Sequence, residues 1–304
     1  MTTPNLPPPP AAKAATPASK PATMSVMPPP ASLPPPPGSR AVSTKTTKDF
    51  KLSKGRIQGP QRVLIFGPGG VGKSSLARQA PNPVFLDVED GTKDLDVSRY
   101  GSDQIQTFSD LRLIAASELL DPYGSVILDT STTAQGMAEI EVVETIPHEN
   151  GDRVDRLEGY GWNKGLAHVY ELFIPLLQDF DRLIHRGKNV IIIAHDCVTD
   201  VPNPHGEDWI RYEPRLQSPK SGKNSIRNKL IEWCDHVLFV GYDVNVNKEG
   251  KGKGAGTRTI WTTARPTHVA KVRGKEERGI PDSLPYRNNS DGTIWNLILS
   301  GNKQ

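Results

Sequence analysis

The amino-acid sequence predicts an α/β fold: a mainly parallel β-sheet with helices on both faces, preceded by a disordered tail. From residue 60 onward, short β-rich apolar runs alternate with helical stretches, which is typical of a parallel sheet. A glycine-rich stretch follows the first of these runs. The 28 prolines are unevenly distributed, since fourteen of them lie in residues 1–40. These three observations predict one α/β domain rather than the two that the length of 304 residues would suggest.

The N-terminal tail differs in composition from the rest of the chain. Residues 1–48 carry five Lys or Arg and no Asp or Glu, with proline runs at Pro7–Pro10 and Pro34–Pro37. Such a segment has too little apolar surface to offset the entropy of ordering it, and it favours polyproline II conformations. We therefore expect residues 1–57 to be a disordered, basic tail and residues 58–304 to be the domain. Deletion of residues 1–48 should leave the activity of that domain intact.

Several classes of protein are excluded by the same sequence. The longest unbroken apolar run, Val190–Ala194, is far shorter than the ~20 residues that span a bilayer. The N-terminus has no apolar segment of the secretory type. The two cysteines fit a reducing compartment better than a disulfide scaffold. The sequence predicts a cytoplasmic protein that does not enter a membrane.

The predicted strands are short apolar runs of β-forming residues. They are Arg62–Phe66, Val84–Val88, Ser125–Asp129, Asn189–Ala194 and His236–Gly241. The strongest helix is predicted from Asn163 to Arg186, because apolar residues recur there at three- and four-residue steps. Gly187 is placed as its C-terminal stop, and Pro175 should kink it.

The C-terminal third predicts an antiparallel β extension of the sheet. Tyr242–Lys248 and Thr257–Thr263 are predicted as two strands joined by the turn Glu249–Gly256. Thr267–Arg273 and Thr293–Leu299 are predicted as further short strands.

The glycine-rich stretch matches the phosphate-binding P-loop pattern in full, and a strand precedes it as the pattern requires. Its residues, with the adjoining serine, are the predicted nucleotide-binding residues: Gly67, Pro68, Gly69, Gly70, Val71, Gly72, Lys73, Ser74 and Ser75. Glycines allow consecutive backbone N–H groups to turn towards phosphates. Lys73 should reach the β- and γ-phosphates of ATP, and the Ser74 hydroxyl should ligate Mg²⁺.

Two acidic residues complete the predicted site. Asp129 closes the apolar run Val126–Leu128, the position of the acid that holds magnesium through water. Glu89 follows the second strand, and strand ends in such sheets converge on the nucleotide, so its carboxylate could activate the attacking water. Asp87 and Asp90 remain alternatives for that role.

The order of these motifs resembles the ATPase core of RecA-like recombinases, over about residues 58–290. It is similar in particular to small phage-encoded ATP-binding proteins of single-strand annealing and recombination. The stretches that carry the resemblance are Gly67–Ser74, Phe85–Glu89, Val126–Asp129, Val190–His195, Asp87–Val97 and Arg211–Pro214. The resemblance implies a cytoplasmic ATPase, in a phage-infected bacterium if the chain is phage-encoded.

The resemblance also implies roles for individual residues. Glu89 would be the catalytic carboxylate. His195 stands where RecA-like proteins place a residue, usually glutamine, that senses the γ-phosphate. Lys271 and Arg273 resemble the Lys-x-Lys pair that reaches the nucleotide of a neighbouring subunit, where cations would stabilise the charge of phosphoryl transfer. These positions imply a homo-oligomer or filament.

Two segments are predicted to contact single-stranded DNA. Asp196–Asn224 is predicted as a long loop in which aromatic residues alternate with cations, which suits base stacking and phosphate contacts. Lys248–Arg258 is predicted as a flexible basic turn. The candidate DNA-binding residues are Trp209, Arg211, Tyr212, Arg215, Lys220, Lys223, Lys251 and Lys253. A single-stranded DNA-binding protein is a further candidate partner.

These features predict an ATP-binding and ATP-hydrolysing recombination protein that binds single-stranded DNA and promotes annealing or strand pairing. Two alternatives use the same P-loop. One is a kinase of a small molecule or nucleotide, with Asp196–Asn224 as a lid. The other is an ATP-dependent scaffold that recruits partners through its proline runs.

Overall fold

In the part of the chain that the structure describes, ten strands form the sheet at the centre of the fold. The computed structural model describes residues 52–55, 57, 59–203, 205–246 and 252–299. The strands are β1 (Arg62–Gly67), β2 (Pro83–Asp87), β3 (Ser98–Tyr100), β4 (Ser125–Asp129), β5 (Asn189–Val201), β6 (Trp209–Pro214), β7 (His236–Val246), β8 (Gly252–Trp261), β9 (Lys271–Val272) and β10 (Ser283–Pro285). The predicted tail lies almost wholly outside the described residues.

Seven α-helices surround the sheet within the described residues. They are α1 (Lys73–Ala77), α2 (Phe108–Ala116), α3 (Ser131–Thr145), α4 (Lys164–His185), α5 (Ile226–Trp233), α6 (Lys275–Arg278) and α7 (Thr293–Ile298). Two short 3-10 helices, Glu118–Leu120 and Leu157–Tyr160, lie before β4 and α4.

The strand order is β10-β8-β7-β1-β5-β4-β2-β3. Neighbours from β7 to β3 pair in parallel, whereas β8 and β10 add antiparallel strands at the β7 edge. β6 pairs antiparallel with the second half of β5, and β9 pairs with the start of β7. The predicted fold class is confirmed: a mainly parallel sheet with an antiparallel C-terminal extension.

Both faces of the sheet are covered, as continuous apolar strands require. Alternate residues of β1 point to opposite faces, so Leu64 joins a core with side chains of α2, α3, α4 and α5, and Ile65 joins a second core with side chains of α1 and α7. The predicted helices on both faces are therefore confirmed.

Helix α4 begins and ends close to the predicted bounds and continues through Pro175. Its buried apolar face is Val169, Phe173, Leu176, Leu177, Phe180 and Leu183. Gly187 has φ of 85°, and its N–H donates to Ile184 O while the N–H of Lys188 donates to Leu183 O. These two bonds form a Schellman C-cap, so the predicted stop at Gly187 is confirmed.

The prediction of a strand at Thr293–Leu299 is wrong, because this segment forms helix α7. Its buried apolar residues occupy positions i, i+1, i+4 and i+5, which share one face of a helix rather than of a strand. The four residues on that face are Ile294, Trp295, Ile298 and Leu299, and all are buried. The strand predicted at Thr267–Arg273 is also shorter than expected: Lys271–Val272 forms β9, and His268 makes isolated β-bridges with Tyr212 and Arg265.

The prediction of a long loop at Asp196–Asn224 is wrong for its first two thirds. Strand β5 continues to Val201 and forms a hairpin with β6, with Asp196 opposite Pro214 and Val201 opposite Trp209. Backbone pairing satisfies the polar groups that a loop would expose. Of the turn predicted at Glu249–Gly256, residues 249–251 lie outside the described residues, and Gly252–Gly256 belong to β8.

Candidate functional site

The P-loop connects β1 to α1 at the carboxyl end of the parallel strands. Gly70 and Gly72 have φ of 73° and 96°, a left-handed conformation that glycine adopts without strain. A Cβ on Gly67 would lie 2.0 Å from Val240 O of the adjacent strand β7. The loop therefore requires glycine at these positions for its backbone shape and for its close approach to the sheet.

Lys73 begins helix α1, and its ammonium group is bound within the loop. Nζ donates to Gly67 O at 2.8 Å and to Pro68 O at 2.9 Å. The residue is 7% exposed. Burial lowers the pKa of Lys73, and nearby Asp196 and Asp129 partly offset this shift. Phosphate oxygens are stronger acceptors for an ammonium group than carbonyls, so this position suits binding of a nucleotide phosphate.

Ser74 and Asp129 form a hydroxyl–carboxylate pair beside Lys73. Ser74 Oγ donates to Asp129 Oδ2 at 2.6 Å. Asp129 ends β4 and is buried; burial raises its pKa to about 6, against the opposing effect of the Ser74 hydrogen bond. A bound cation would offset the electrostatic cost of burying this carboxylate. Oxygen ligands of this kind are those that Mg²⁺ prefers, so the residues fit the predicted metal.

Glu89 lies across the pocket from the P-loop, held by three side chains. Oε2 accepts from Thr130 Oγ1 at 2.7 Å and from Thr133 Oγ1 at 3.1 Å. Oε1 lies 2.8 Å from His195 Nε2. Burial acts to raise the pKa of Glu89, but the hydrogen bonds from Thr130 and His195 outweigh it and the pKa lies below its ordinary value. The carboxylate is ionised at neutral pH.

The two alternatives to Glu89 have other partners. Asp87 is 1% exposed, and its carboxylate accepts from the backbone N–H groups of Gly91 and Thr92 at 3.0 Å each. It therefore stabilises the turn after β2. Asp90 is bound to Lys93 and Ser102. Of the three acids, Glu89 is the one that lines the pocket.

The pocket between these groups has a volume of about 310 Å³. Its walls bring together most of the predicted nucleotide-binding residues with Glu89, Asp129 and His195. Sequence reasoning missed three of the groups found here: Thr130 and Thr133, which bind Glu89, and Asn289 in the pocket wall. The hydroxyl-rich stretch Thr130–Thr133 directly after Asp129 was the available signal for the first two.

His195 connects the pocket to the β5–β6 hairpin, because β5 runs from this residue to Val201 without interruption. On the hairpin, Ile210 is 63% exposed and Tyr212 is 42% exposed. The ring of Tyr212 is stacked on that of Phe239 at 5.4 Å, so one of its faces is already covered. Trp209 is less exposed, at 37%.

The cations predicted to bind DNA fall into two groups. Arg211 and Arg227 share the buried carboxylate of Glu213, so one negative charge partly offsets the charges of both guanidinium groups. Arg215, Lys220 and Lys223 are exposed. Residues 196–224 hold four Lys or Arg against five Asp or Glu, but residues 215–229 hold five Lys or Arg and no acid. The positive charge is therefore concentrated after the hairpin.

The remaining predicted residues are not part of the pocket. Lys271 and Arg273 lie beside the start of β7, where Lys271 Nζ donates to Glu232 O at 3.4 Å and Arg273 lies 3.1 Å from Asp235. The P-loop lies at the other ends of these strands, so neither cation reaches the nucleotide pocket of its own chain. Lys251 lies outside the described residues, and Lys253 is described only as backbone of β8.

A glycine loop at the carboxyl end of a parallel sheet, with an acid closing a neighbouring strand, defines a P-loop ATPase core. The model of the AAA domain family matches residues 59–274. Because this match covers more than half of the chain, the protein belongs to the AAA domain family.

Solved structures with a similar fold have low sequence identity. A KaiC-like protein from Pyrococcus horikoshii is 13% identical, with a TM-score of 0.38, over 71% of this chain and 81% of that one. The RadB recombinase is 11% identical, with a TM-score of 0.35, over 77% and 90% of the two chains. The flagellar accessory protein FlaH from Methanocaldococcus jannaschii is 9% identical, with a TM-score of 0.31, over 67% and 78%.

No curated protein sequence matches the chain significantly. Within the described residues, no helix combines the length and the apolar character needed to cross a bilayer.

Proposed function

We propose that the protein hydrolyses ATP with Mg²⁺ at the P-loop pocket, with Glu89 as the group that activates water. The observation that carries this proposal is the position of Glu89, whose carboxylate faces the P-loop across the pocket and is held by three hydrogen-bonding side chains. A carboxylate that is ionised and fixed in place can accept a proton from water at neutral pH.

The other residues of the pocket bind the substrate in this proposal. Lys73 exchanges its bonds to Gly67 O and Pro68 O for bonds to phosphate oxygens. Ser74 and Asp129 hold the magnesium ion, which supplies positive charge to the phosphates. The N–H groups of the P-loop bind the remaining phosphate oxygens. His195, bound to Glu89, lies where it can respond to the presence of the γ-phosphate.

We further propose that the hairpin and the basic stretch after it bind single-stranded DNA. Support comes from the exposed apolar and aromatic residues Ile210 and Tyr212 and from the acid-free residues 215–229. Bases stack on exposed rings, and cations bind the backbone phosphates. The backbone N–H of Arg215 donates to His195 O at 2.8 Å, so the basic stretch begins beside the residue that contacts Glu89.

ATP-dependent DNA binding by this surface would support annealing or strand pairing by a protein that assembles along DNA. Lys271 and Arg273 lie away from the pocket of their own chain. This placement is compatible with the proposal that they act on the nucleotide of a neighbouring copy.

The experiment is an anisotropy titration of a labelled single-stranded oligonucleotide, with and without ATP and Mg²⁺. We expect binding that is stimulated by ATP and that weakens steeply with salt. The double variant Lys220→Ala, Lys223→Ala should reduce the slope of log affinity against log salt by about 1.4, since each single-strand phosphate contact contributes about 0.7. Lys164→Ala, an exposed lysine on α4, is the matched control and should bind as the wild type does.

Three other outcomes would change the proposal. Absence of ATP-stimulated binding to single-stranded DNA at every salt concentration would contradict the proposed DNA binding, while leaving the proposed ATP hydrolysis in place. Transfer of the γ-phosphate to an added nucleotide or small molecule, with no effect of DNA on the rate, would indicate a kinase. Tight ATP binding without turnover would indicate an ATP-dependent scaffold.

A further inference from the structure

Two backbone carbonyls of the P-loop are bound by side chains from distant parts of the chain. Arg258 on β8 donates through Nη1 to Val71 O at 2.9 Å. The hydroxyl of Tyr286, just after β10, donates to Gly72 O at 3.0 Å. We call Arg258 and Tyr286 the carbonyl clamp. Its contacts fall on two successive peptide groups of the loop.

The two clamp residues also hold each other. The guanidinium carbon of Arg258 lies 4.3 Å from the centre of the Tyr286 ring, a favourable cation–π distance. Tyr286 is 1% exposed. A Cβ on Gly72 would lie 2.7 Å from Arg258 Nη1, so the clamp closes directly onto the loop. Arg258 Nη1 also donates to the side chain of Asn289, a residue of the pocket wall, at 2.9 Å.

The C-terminal segment fixes the clamp in place. The N–H of Tyr286 donates to Arg258 O at 2.7 Å, next to the paired strands β8 and β10. On α7, Trp295 Nε1 donates to Leu76 O of helix α1 at 2.8 Å. The match to the AAA domain family ends at residue 274. Tyr286, Asn289 and Trp295 therefore contact the phosphate-binding loop and its helix from beyond the matched part.

We propose that the carbonyl clamp positions the P-loop for phosphate binding, which makes residues 275–299 a part of the nucleotide site. The proposal rests on the proposed binding of ATP. Because a peptide group is planar, the Val71 carbonyl and the Gly72 N–H have a fixed relative orientation, and so do the Gly72 carbonyl and the Lys73 N–H. Holding the two carbonyls therefore orients the two N–H donors. Donors that are oriented before binding lose less entropy when the ligand arrives.

Tyr286→Phe tests this role with a minimal change, since it keeps the ring beside Arg258 and removes only the bond to Gly72 O. We expect the Kd for a fluorescent ATP analogue to rise about threefold to tenfold, the range that the loss of one hydrogen bond produces. The turnover number at saturating ATP should change little. Arg258→Met keeps an unbranched stem but removes both donations and the cation–π contact with Tyr286, and it should raise the Kd by about tenfold or more.

The matched control is Tyr160→Phe. Tyr160 is also a buried tyrosine whose hydroxyl donates to a backbone carbonyl, that of Val142 at 3.0 Å, away from the pocket. Loss of the Tyr160 hydroxyl should lower the melting temperature but leave the nucleotide Kd unchanged. A role of Tyr286 in stability alone would make the two variants behave alike, and wild-type Kd values in both Tyr286→Phe and Arg258→Met would overturn the proposal.

Hydrogen exchange of the nucleotide-free protein separates this proposal from the proposed function. The amides of residues 69–74 should exchange faster in Tyr286→Phe than in the wild type or in Tyr160→Phe. Equal exchange in all three proteins would contradict the clamp. If the wild-type protein failed to bind ATP, the proposed function would fail, while the exchange result would still decide whether the clamp orders the loop.

Discussion

Glu89 and His195 are joined by a hydrogen bond of 2.8 Å between Oε1 and Nε2, which ties the acid after β2 to the strand that continues into the β5–β6 hairpin. The two residues are 106 positions apart in the sequence. A change at the γ-phosphate that moves Glu89 would therefore also move His195, the residue from which β5 continues towards the hairpin.

This bond predicts that His195→Ala uncouples ATP hydrolysis from DNA. The variant should bind ATP as the wild type does, because the P-loop contacts of Lys73 are unaffected. Single-stranded DNA should no longer accelerate its ATPase rate. His195→Gln, which retains a side-chain donor for Glu89, should keep most of the stimulation. Steady-state ATPase assays with and without DNA measure both effects, and full stimulation of His195→Ala would argue against the coupling.

Lys73→Ala should weaken nucleotide binding by roughly 100-fold or more, since it removes a buried ammonium group that makes charge-assisted bonds to phosphate. Titration with a fluorescent ATP analogue measures the loss. Lys93→Ala is the matched control, because Lys93 is an exposed lysine paired with Asp90. If Lys73→Ala bound ATP as the control does, the phosphate site would lie elsewhere.

Glu89→Gln should bind ATP but hydrolyse it about 100-fold more slowly, as expected for the loss of a general base. The amide can still contact Thr130 and His195, so the fold of the pocket should be preserved. Asp90→Asn is the matched control, because Asp90 is a neighbouring acid whose carboxylate accepts hydrogen bonds from Lys93 and Ser102. This variant should hydrolyse ATP at the wild-type rate. Normal turnover by Glu89→Gln in a single-turnover assay would place the base on another residue.

The stability of the protein should fall as the pH decreases from about 6.5 to 4, in part because of His236. This histidine is 0% exposed at the start of β7, and burial lowers its pKa to about 4, although Asp235 acts in the opposite direction. In that pH range the unfolded chain binds a proton that the folded chain does not, so stability is lost as acid is added. The loss attributable to His236 is up to about 3 kcal/mol.

His236→Gln removes this titration and should show a shallower dependence of the free energy of unfolding on pH. Urea denaturation between pH 4 and 8 compares the two proteins. Parallel curves for wild type and variant would show that His236 titrates normally in the folded protein.

The features that sequence predicted well are those set by local patterns. Apolar runs predicted β1, β2, β4 and β5, because buried strands require apolar residues next to each other in the sequence. Helical periodicity predicted α4, and Gly187 predicted its end, because the residue after the helix needs a positive φ. The P-loop, with its preceding strand and its fixed glycines, is also local. Gly70 and Gly72 have the positive φ that glycine allows.

The features that sequence missed depend on contacts between distant residues. Tyr286 lies 214 positions from Gly72, and no local pattern distinguishes it from any other tyrosine after a short strand. Helix α7 was mistaken for a strand because five of the seven residues from Thr293 to Leu299 are apolar, which does not distinguish a short buried strand from a helix. In the structure, Trp295 donates to Leu76 O of helix α1. The hairpin of β5 and β6 was missed because neither strand alternates strictly: Cys197 and Val198 are adjacent apolar residues on β5, as are Trp209 and Ile210 on β6.

We propose above all that this P-loop ATPase responds to single-stranded DNA. The ATPase rate of the wild-type protein, measured at saturating ATP and Mg²⁺ with and without single-stranded DNA, tests it most directly, with Glu89→Gln as the catalytic control. We predict a low basal rate that DNA increases severalfold in the wild type and not in Glu89→Gln. A wild-type rate that is identical with and without DNA would contradict the claim.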